Sequence, residues 1–352
     1  MIFLDKSRKL ERRFYIKNIV LVFSLLTGFG LDGQDLHFSQ FYYAPLQLNP
    51  ALTGIFQEDI RFSANYRRQW KSVPVDYLTF SGVVDGKITQ LSFPNGFFSG
   101  GLVFNHDVAG DGNLTYSNLS ATASYTQKIT EQQLITAGLL VGAGQRRIDL
   151  SQLNFGNQFN GDLFVRAAPT RENLDQTSIQ YLDFGVGFNW HLQEEEQKYW
   201  GDLGIGIFHL IQPDVGFYNQ TKTALPRRYS IYGNIGFAIH ERAGLEFNGY
   251  FQKQNTYTES VIGTGVKYQL MDTRGRELEL RFGLGYRILG ARDAFIPSIS
   301  VAYNTWILGF SYDFNQSAFE LATNGRGGPE LALQYRITKV KPLKAAKSCP
   351  VF

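Results

Sequence analysis

The segment RFGLGYRI (281–288) puts Phe282, Leu284, Tyr286 and Ile288 at every second position and only Arg281, Gly283, Gly285 and Arg287 between them. Period-two alternation marks a β-strand whose two faces meet different surroundings. A water-soluble sandwich hides its apolar stripe against a second sheet and would show less glycine opposite it. The pattern returns in IRFSANYRR (60–68), LDFGVGFNW (182–190) and VIGTGVKYQL (261–270), with further glycine pairs at 142/144, 185/187, 204/206 and 263/265. It predicts about fourteen strands, near 60–68, 76–87, 97–107, 113–127, 132–147, 178–191, 199–211, 227–240, 243–253, 258–271, 276–289, 294–303, 305–314 and 328–338.

The connections give an independent test. Those after even-numbered strands are mostly short, and 148–177, 212–226 and 315–327, after odd-numbered strands, are long. Short turns at one end and long loops at the other describe an outer-membrane barrel with both termini on the periplasmic side. The connection at 88–96 is longer than its class should be. Trp70, Trp190, Trp200 and Trp306 all fall at inferred strand ends, where aromatic girdles meet lipid headgroups. Only helices and closed barrels satisfy their backbone groups in a bilayer, and no long apolar helix is present. The expected fold is all-β: a transmembrane antiparallel up-and-down barrel of about 14 strands, outer-membrane type. Phe282, Leu284 and Tyr286 then face lipid, and Gly283 and Gly285 face the lumen. Lumen glycines ease strand curvature, their more ordinary role, and also clear space for something inside.

The chain divides into a signal peptide at 1–33, an N-terminal plug-like segment at 34–58, the barrel at 59–338 and a periplasmic tail at 339–352. The opening combines a basic start with an apolar run at 19–31, too short to span a membrane and shaped like a cleaved secretory signal rather than an anchor. Its removal takes six of the 34 basic and three of the 31 acidic residues and leaves 28 of each. The mature chain is formally neutral, so no nucleic-acid partner is expected. Cys349 is the only cysteine, which excludes an internal disulfide and leaves a thiol that could pair with another chain. The segment QDLHFSQFYYAPLQLNPALTGIFQE (34–58) is rich in aromatics, holds Pro45 and Pro50 and lacks sustained alternation. It is expected to pack inside the barrel.

Catalytic and cofactor patterns are weak. None of the G-x-G pairs opens a G-x-G-x-x-G helix turn, so a dinucleotide site is not expected. The five histidines show no H-x-x-x-H or H-E-x-x-H spacing, and Asp111-Gly112-Asn113 is not a calcium loop. Ser311 or Ser317 as a hydrolase nucleophile would need a histidine that no local pattern supplies. No cofactor, metal or enzymatic activity is expected.

HFSQFYYAPLQLNPALTG followed by YRRQW resembles the start of the PorP/SprF family, outer-membrane proteins of the type IX secretion system. NHDVAG (105–110), LNFGNQF (153–159), YLDFGVGFNW (181–190), FHLIQPD (208–214), LPRRY (225–229), YDFNQSAFELATNGRGGPELALQY (312–335) and the terminal CPVF are similar to later family motifs in the same order. Val351 stands where a basic residue is expected and Tyr232 where histidine is expected. The resemblance implies a barrel in the outer-membrane lipid that works by binding proteins. Some members are core parts of the type IX translocon, linked to a periplasmic peptidoglycan-anchored OmpA-like protein. Others receive a secreted adhesin through its C-terminal sorting domain and hold it at the cell surface, the role favoured here.

The partner-binding candidates are Phe38, Gln40, Tyr42, Asn49 and Pro50 in the plug, and Arg67 and Trp70 at the end of the first strand. Phe155, Phe159 and Phe319 in the long loops and Cys349 and Pro350 in the tail complete them. Arg67 is expected to pair with Asp183, Glu246 or the plug. The rival reading is a diffusion channel or small-solute transporter, which should conduct steadily in planar bilayers, whereas a plugged barrel should be silent. A barrel hydrolase, a third class, would lose activity on changing His106.

Overall fold

The computed structural model describes residues 35–69, 77–110, 112–170, 174–194, 198–218, 222–273, 275–289, 294–316 and 325–338. Fourteen antiparallel strands close into a barrel, each beside its sequence neighbours, with β1 sealing against β14. They are β1 Ile60–Gln69, β2 Tyr77–Phe93, β3 Gly96–Ala109, β4 Leu114–Thr130, β5 Gln133–Arg147, β6 Ser178–Gln193 and β7 Tyr199–Phe208. The second half comprises β8 Arg228–His240, β9 Ala243–Gln254, β10 Tyr257–Thr273, β11 Arg276–Leu289, β12 Ala294–Tyr303, β13 Trp306–Asn315 and β14 Arg326–Ile337.

The wall is apolar outside and polar inside. On β4, Asn118, Ser120, Thr122, Ser124 and Thr126 are all buried, whereas Leu119 between two of them is 58% exposed. On β5, Leu139 and Val141 are exposed and Leu140 between them is buried. That order inverts a water-soluble protein and fits hydrocarbon against the outer face. Closure leaves no unpaired strand edge, which a bilayer would penalise heavily. Among the described residues no helix is long and apolar enough to cross a membrane.

Three local expectations change. β2 runs on to Phe93 and β3 begins at Gly96, with a register shift between Lys87 and Ser92, so the connection near 88–96 shrinks to two residues. β7 stops at Phe208 rather than near 211, because His209 turns to φ +57° and carries its imidazole to within 2.9 Å of Asp183. Trp200 faces the lumen and covers Gly236, whereas Trp190 and Trp306 are exposed on the outer face. Trp70 lies outside the described residues.

Two-residue turns at 94–95, 131–132, 241–242 and 304–305 gather at one mouth, which short turns mark as periplasmic. The connections at 148–177 and 209–227 gather at the other.

Candidate functional site

Residues 36–59 run through the lumen from the long-loop mouth to the short-turn mouth. The start of this segment sits at the mouth opposite the one expected for both termini, because residues 36–39 are held by Arg228, Arg67 and Glu330. Pro45 and Pro50 open single 3₁₀ turns, where a missing N–H costs nothing, and Asn49 caps the second by accepting from Ala51 N at 2.8 Å. The segment then leaves at Gly54, φ +72°, whose N–H donates to Asp85 at 2.8 Å and whose missing side chain makes room for Ser99. Phe41, Leu46, Leu48 and Leu52 pack against Val83, Val103, Tyr232, Tyr250 and Val261 of the wall. This is the only large apolar cluster inside the described barrel, and it exists because the segment fills it.

Gly138, Gly187 and Gly206 stand in register across β5, β6 and β7. A methyl group on Gly187 would fall 1.7 Å from Asn49 Oδ1, on Gly138 2.4 Å from Ala51 N, and on Gly206 2.4 Å from the Leu48 carbonyl oxygen. Clearance for the plug, more than curvature, accounts for this row.

Near the long-loop mouth the plug is latched by charge. Arg67 of β1 and Arg287 of β11 both donate to Asp313 of β13, at 2.6 and 2.8 Å, with every one of these side chains about 2% exposed. Ser39 Oγ donates to the other Asp313 oxygen at 2.6 Å, and the backbone N–H groups of Ser39 and Gln40 donate to Glu330 at 2.7 and 2.8 Å. Arg67 also donates to the His37 carbonyl at 2.9 Å. Lower down, Arg61 forms a two-pronged pair with Asp85 at 3.0 and 2.8 Å. Buried charges persist only when paired and hydrogen-bonded. These pairs tie five strands and the plug into one unit.

The connection at 148–177 carries a small hairpin. Phe159 bridges Phe164, Asn160 Oδ1 accepts from Asp162 and Leu163, and the buried Gln158 donates to the carbonyls of Arg166 and Ala168. In the neighbouring loop Asp214 accepts backbone N–H bonds from Gly216 and Thr223, which hold its carboxyl below the usual carboxylate range.

The family model for the type IX secretion system membrane protein PorP/SprF matches residues 31–335. The chain belongs to the PorP/SprF family. With its closed barrel, that makes it an outer-membrane component of the type IX secretion system. Neither family nor fold is an enzymatic type. No curated protein matches the chain. Among solved structures it is similar to a Pseudomonas aeruginosa FadL homologue, with 10% identity over 82% of this chain and 92% of that one and a TM-score of 0.47. The CymD monoaromatic hydrocarbon channel gives 12% identity over 84% and 93% with a TM-score of 0.47, and the Pseudomonas putida toluene transporter TodX 8% over 85% and 93% with 0.45. Likeness at that level carries no argument about what this PorP/SprF protein binds.

Within the family framework the candidate residues divide in three. Phe38, Gln40, Asn49, Pro50 and Arg67 are buried and Tyr42 is half-buried, so all six sit inside the plugged lumen. Phe155 is half-buried and Phe159 exposed on the outer hairpin. Trp70, Phe319, Cys349 and Pro350 lie outside the described residues. Arg67 meets the plug, as one of the expectations had it, through the His37 carbonyl. Its ionic partners are Asp313 and Glu330, not Asp183 or Glu246, because β14 and β13 are its near neighbours in the closed sheet. Asp183 meets His209, and Glu246 meets Lys267 and Arg281. The expectations omit Asp313, Glu330 and Arg287; each occupies an inward phase of its strand, which was the available signal. His106 Nδ1 lies 3.0 Å from Ser117 Oγ. Among the described residues no three His, Cys, Asp or Glu side chains gather as a metal site.

Proposed function

We propose that this PorP/SprF protein holds other proteins at the outer membrane, and that its main partner is a secreted adhesin whose C-terminal sorting domain docks on the outer hairpin. The observation that carries this reading is the hairpin's surface: Phe159, Leu163, Phe164 and Val165 are 55%, 69%, 45% and 41% exposed on a loop that its own hydrogen bonds hold in shape. Contiguous exposed apolar residues on a well-held loop are what a protein interface uses. The filled lumen supports the same reading, since a plug latched by buried charge suits a scaffold better than a passage. Contacts with the type IX translocon and with a periplasmic peptidoglycan-anchored OmpA-like protein belong to the proposal at the opposite mouth.

The test is gentle extraction of native membranes carrying Phe159→Ser, Leu163→Ser and Phe164→Ser together. Adhesin recovered with the barrel should fall at least tenfold while barrel abundance stays level. Undiminished recovery would exclude the hairpin as the docking surface.

A further inference from the structure

On the side of the lumen away from the Gly138 row, the plug leaves part of the wall uncovered below its contacts with Tyr250 and Val261. A cavity of about 280 Å³ lies between Phe41, Tyr42, Leu48 and Leu52 of the plug and strands β8 to β12. One water needs only about 10–15 Å³ of such space. The cavity shares Trp200, Asp202, Glu246, Arg281 and Arg336 with a wider chamber of about 640 Å³ at the short-turn mouth, so it is a bay reached from that side. Its back wall is bare: Gly263 faces Gly285 and Gly265 faces Gly283 in register across β10 and β11. A methyl group on any of these four would meet wall atoms only, none from the plug.

The polar groups around the bay are under-engaged. Glu246, 6% exposed, is 3.6 Å from Lys267 Nζ and 3.4 Å from Arg281 Nε. Good charge-assisted bonds are about 2.7–2.9 Å long. Arg281 Nε, Arg336 Nε and Asn234 Oδ1 are buried atoms without a hydrogen-bond partner, and all three residues line the bay. Gln40 Oε1 and Arg67 Nε in the latch are likewise unmet, but the atoms of the bay border open volume, where a ligand that presents both N–H and C=O at neighbouring points would meet them. A peptide main chain does this at every residue. An acyl chain would leave all of them unmet. The bare glycine wall gives a main chain the close approach that Gly138, Gly187 and Gly206 give Asn49 and Pro50 opposite.

We propose that this bay binds a short extended peptide segment with small side chains, entering from the short-turn mouth, with Glu246 and Asn234 accepting its N–H groups and Arg281 donating to its carbonyls. The site lies at the opposite end from the outer hairpin and stands or falls separately from it.

Disulfide tethering on the purified full chain tests this. Ser298→Cys, which lines the bay, is placed in a Cys349→Ser background, with Gly265→Cys as a second reporter. Folding is checked by the mobility of unheated protein on a gel. Two probes compete for capture against excess mercaptoethanol: the end-blocked peptide Ala-Ala-Cys-Ala-Ala, and the same peptide with every amide N-methylated. The plain peptide should be captured at least tenfold more than its twin, and Asn234→Ala or Glu246→Gln should each cut that preference below threefold. Equal capture of both probes, capture of neither at both reporter positions, or a preference unmoved by either substitution would overturn the proposal.

Discussion

Across β13, β14 and β1 the plug meets the wall through contacts of 2.6 to 2.8 Å at Asp313 and Glu330, all sealed from solvent. Around Glu246, on β9, the ionic contacts to β10 and β11 are 3.6 and 3.4 Å, the lysine and arginine are about 30% exposed, and a cavity stands beside the plug. Both regions use arginines against carboxylates and both have glycine walls nearby. What separates them is whether a main chain lies between: Ser39 and Gln40 supply donors on one side only. Residue type alone therefore does not distinguish a structural charge cluster from a binding one, and geometry does.

Removing one carboxylate from each region is the most severe way to break the comparison. Asp313→Ala takes the shortest ionic contact from both Arg67 and Arg287 in a site that water does not reach. The expected loss is about 3–5 kcal/mol of unfolding free energy, the usual cost of an uncompensated buried charge. Glu246→Ala frees Lys267 and Arg281, which already touch solvent, and should cost under about 1 kcal/mol. Urea unfolding of the barrel in detergent reads both. Equal losses would mean that the two clusters are alike after all.

Glycine substitution probes the walls in the same way with smaller effect. Gly187→Ala drives a methyl group into Asn49 and should cost about 1–3 kcal/mol, as overpacking does. Gly285→Ala on the bay wall, whose nearest non-neighbouring atom is Ile296 Cβ at 3.5 Å, an ordinary van der Waals distance, should leave the unfolding midpoint almost in place. If the order reversed, the bay would be the tighter of the two.

Strand existence was legible because alternation is a local property, repeated in each strand and tied to a sharp contrast between hydrocarbon and lumen. Pairing was not. Arg67 and Glu330 stand opposite each other only because β1 closes on β14, which is why Arg67 could be matched from sequence to the wrong carboxylates. Trp200 is a different failure. The phase set by Leu203 and Ile205, both exposed, already turned it inward, but its place at a strand end pointed to the membrane girdle. For the glycines, sequence supplied two functions and favoured curvature; the contacts of the missing Cβ atoms put clearance first at Gly138, Gly187 and Gly206.

The finest test uses two adjacent tyrosines of the plug. Tyr43 is buried and its hydroxyl donates to Ser300 at 2.8 Å, whereas Tyr42 is half-buried and reaches Ser298 only at 3.4 Å. Both acceptors lie on β12, so the two hydroxyls differ in engagement and hardly in setting. Tyr43→Phe should cost about 1 kcal/mol, the net worth of a well-made hydrogen bond that leaves a partner unmet. Tyr42→Phe should cost a few tenths at most, since a bond that long contributes about nothing. A full loss at Tyr42 would mean that the plug already grips β12 on both sides, and the slack that makes room for a ligand in the bay would be gone.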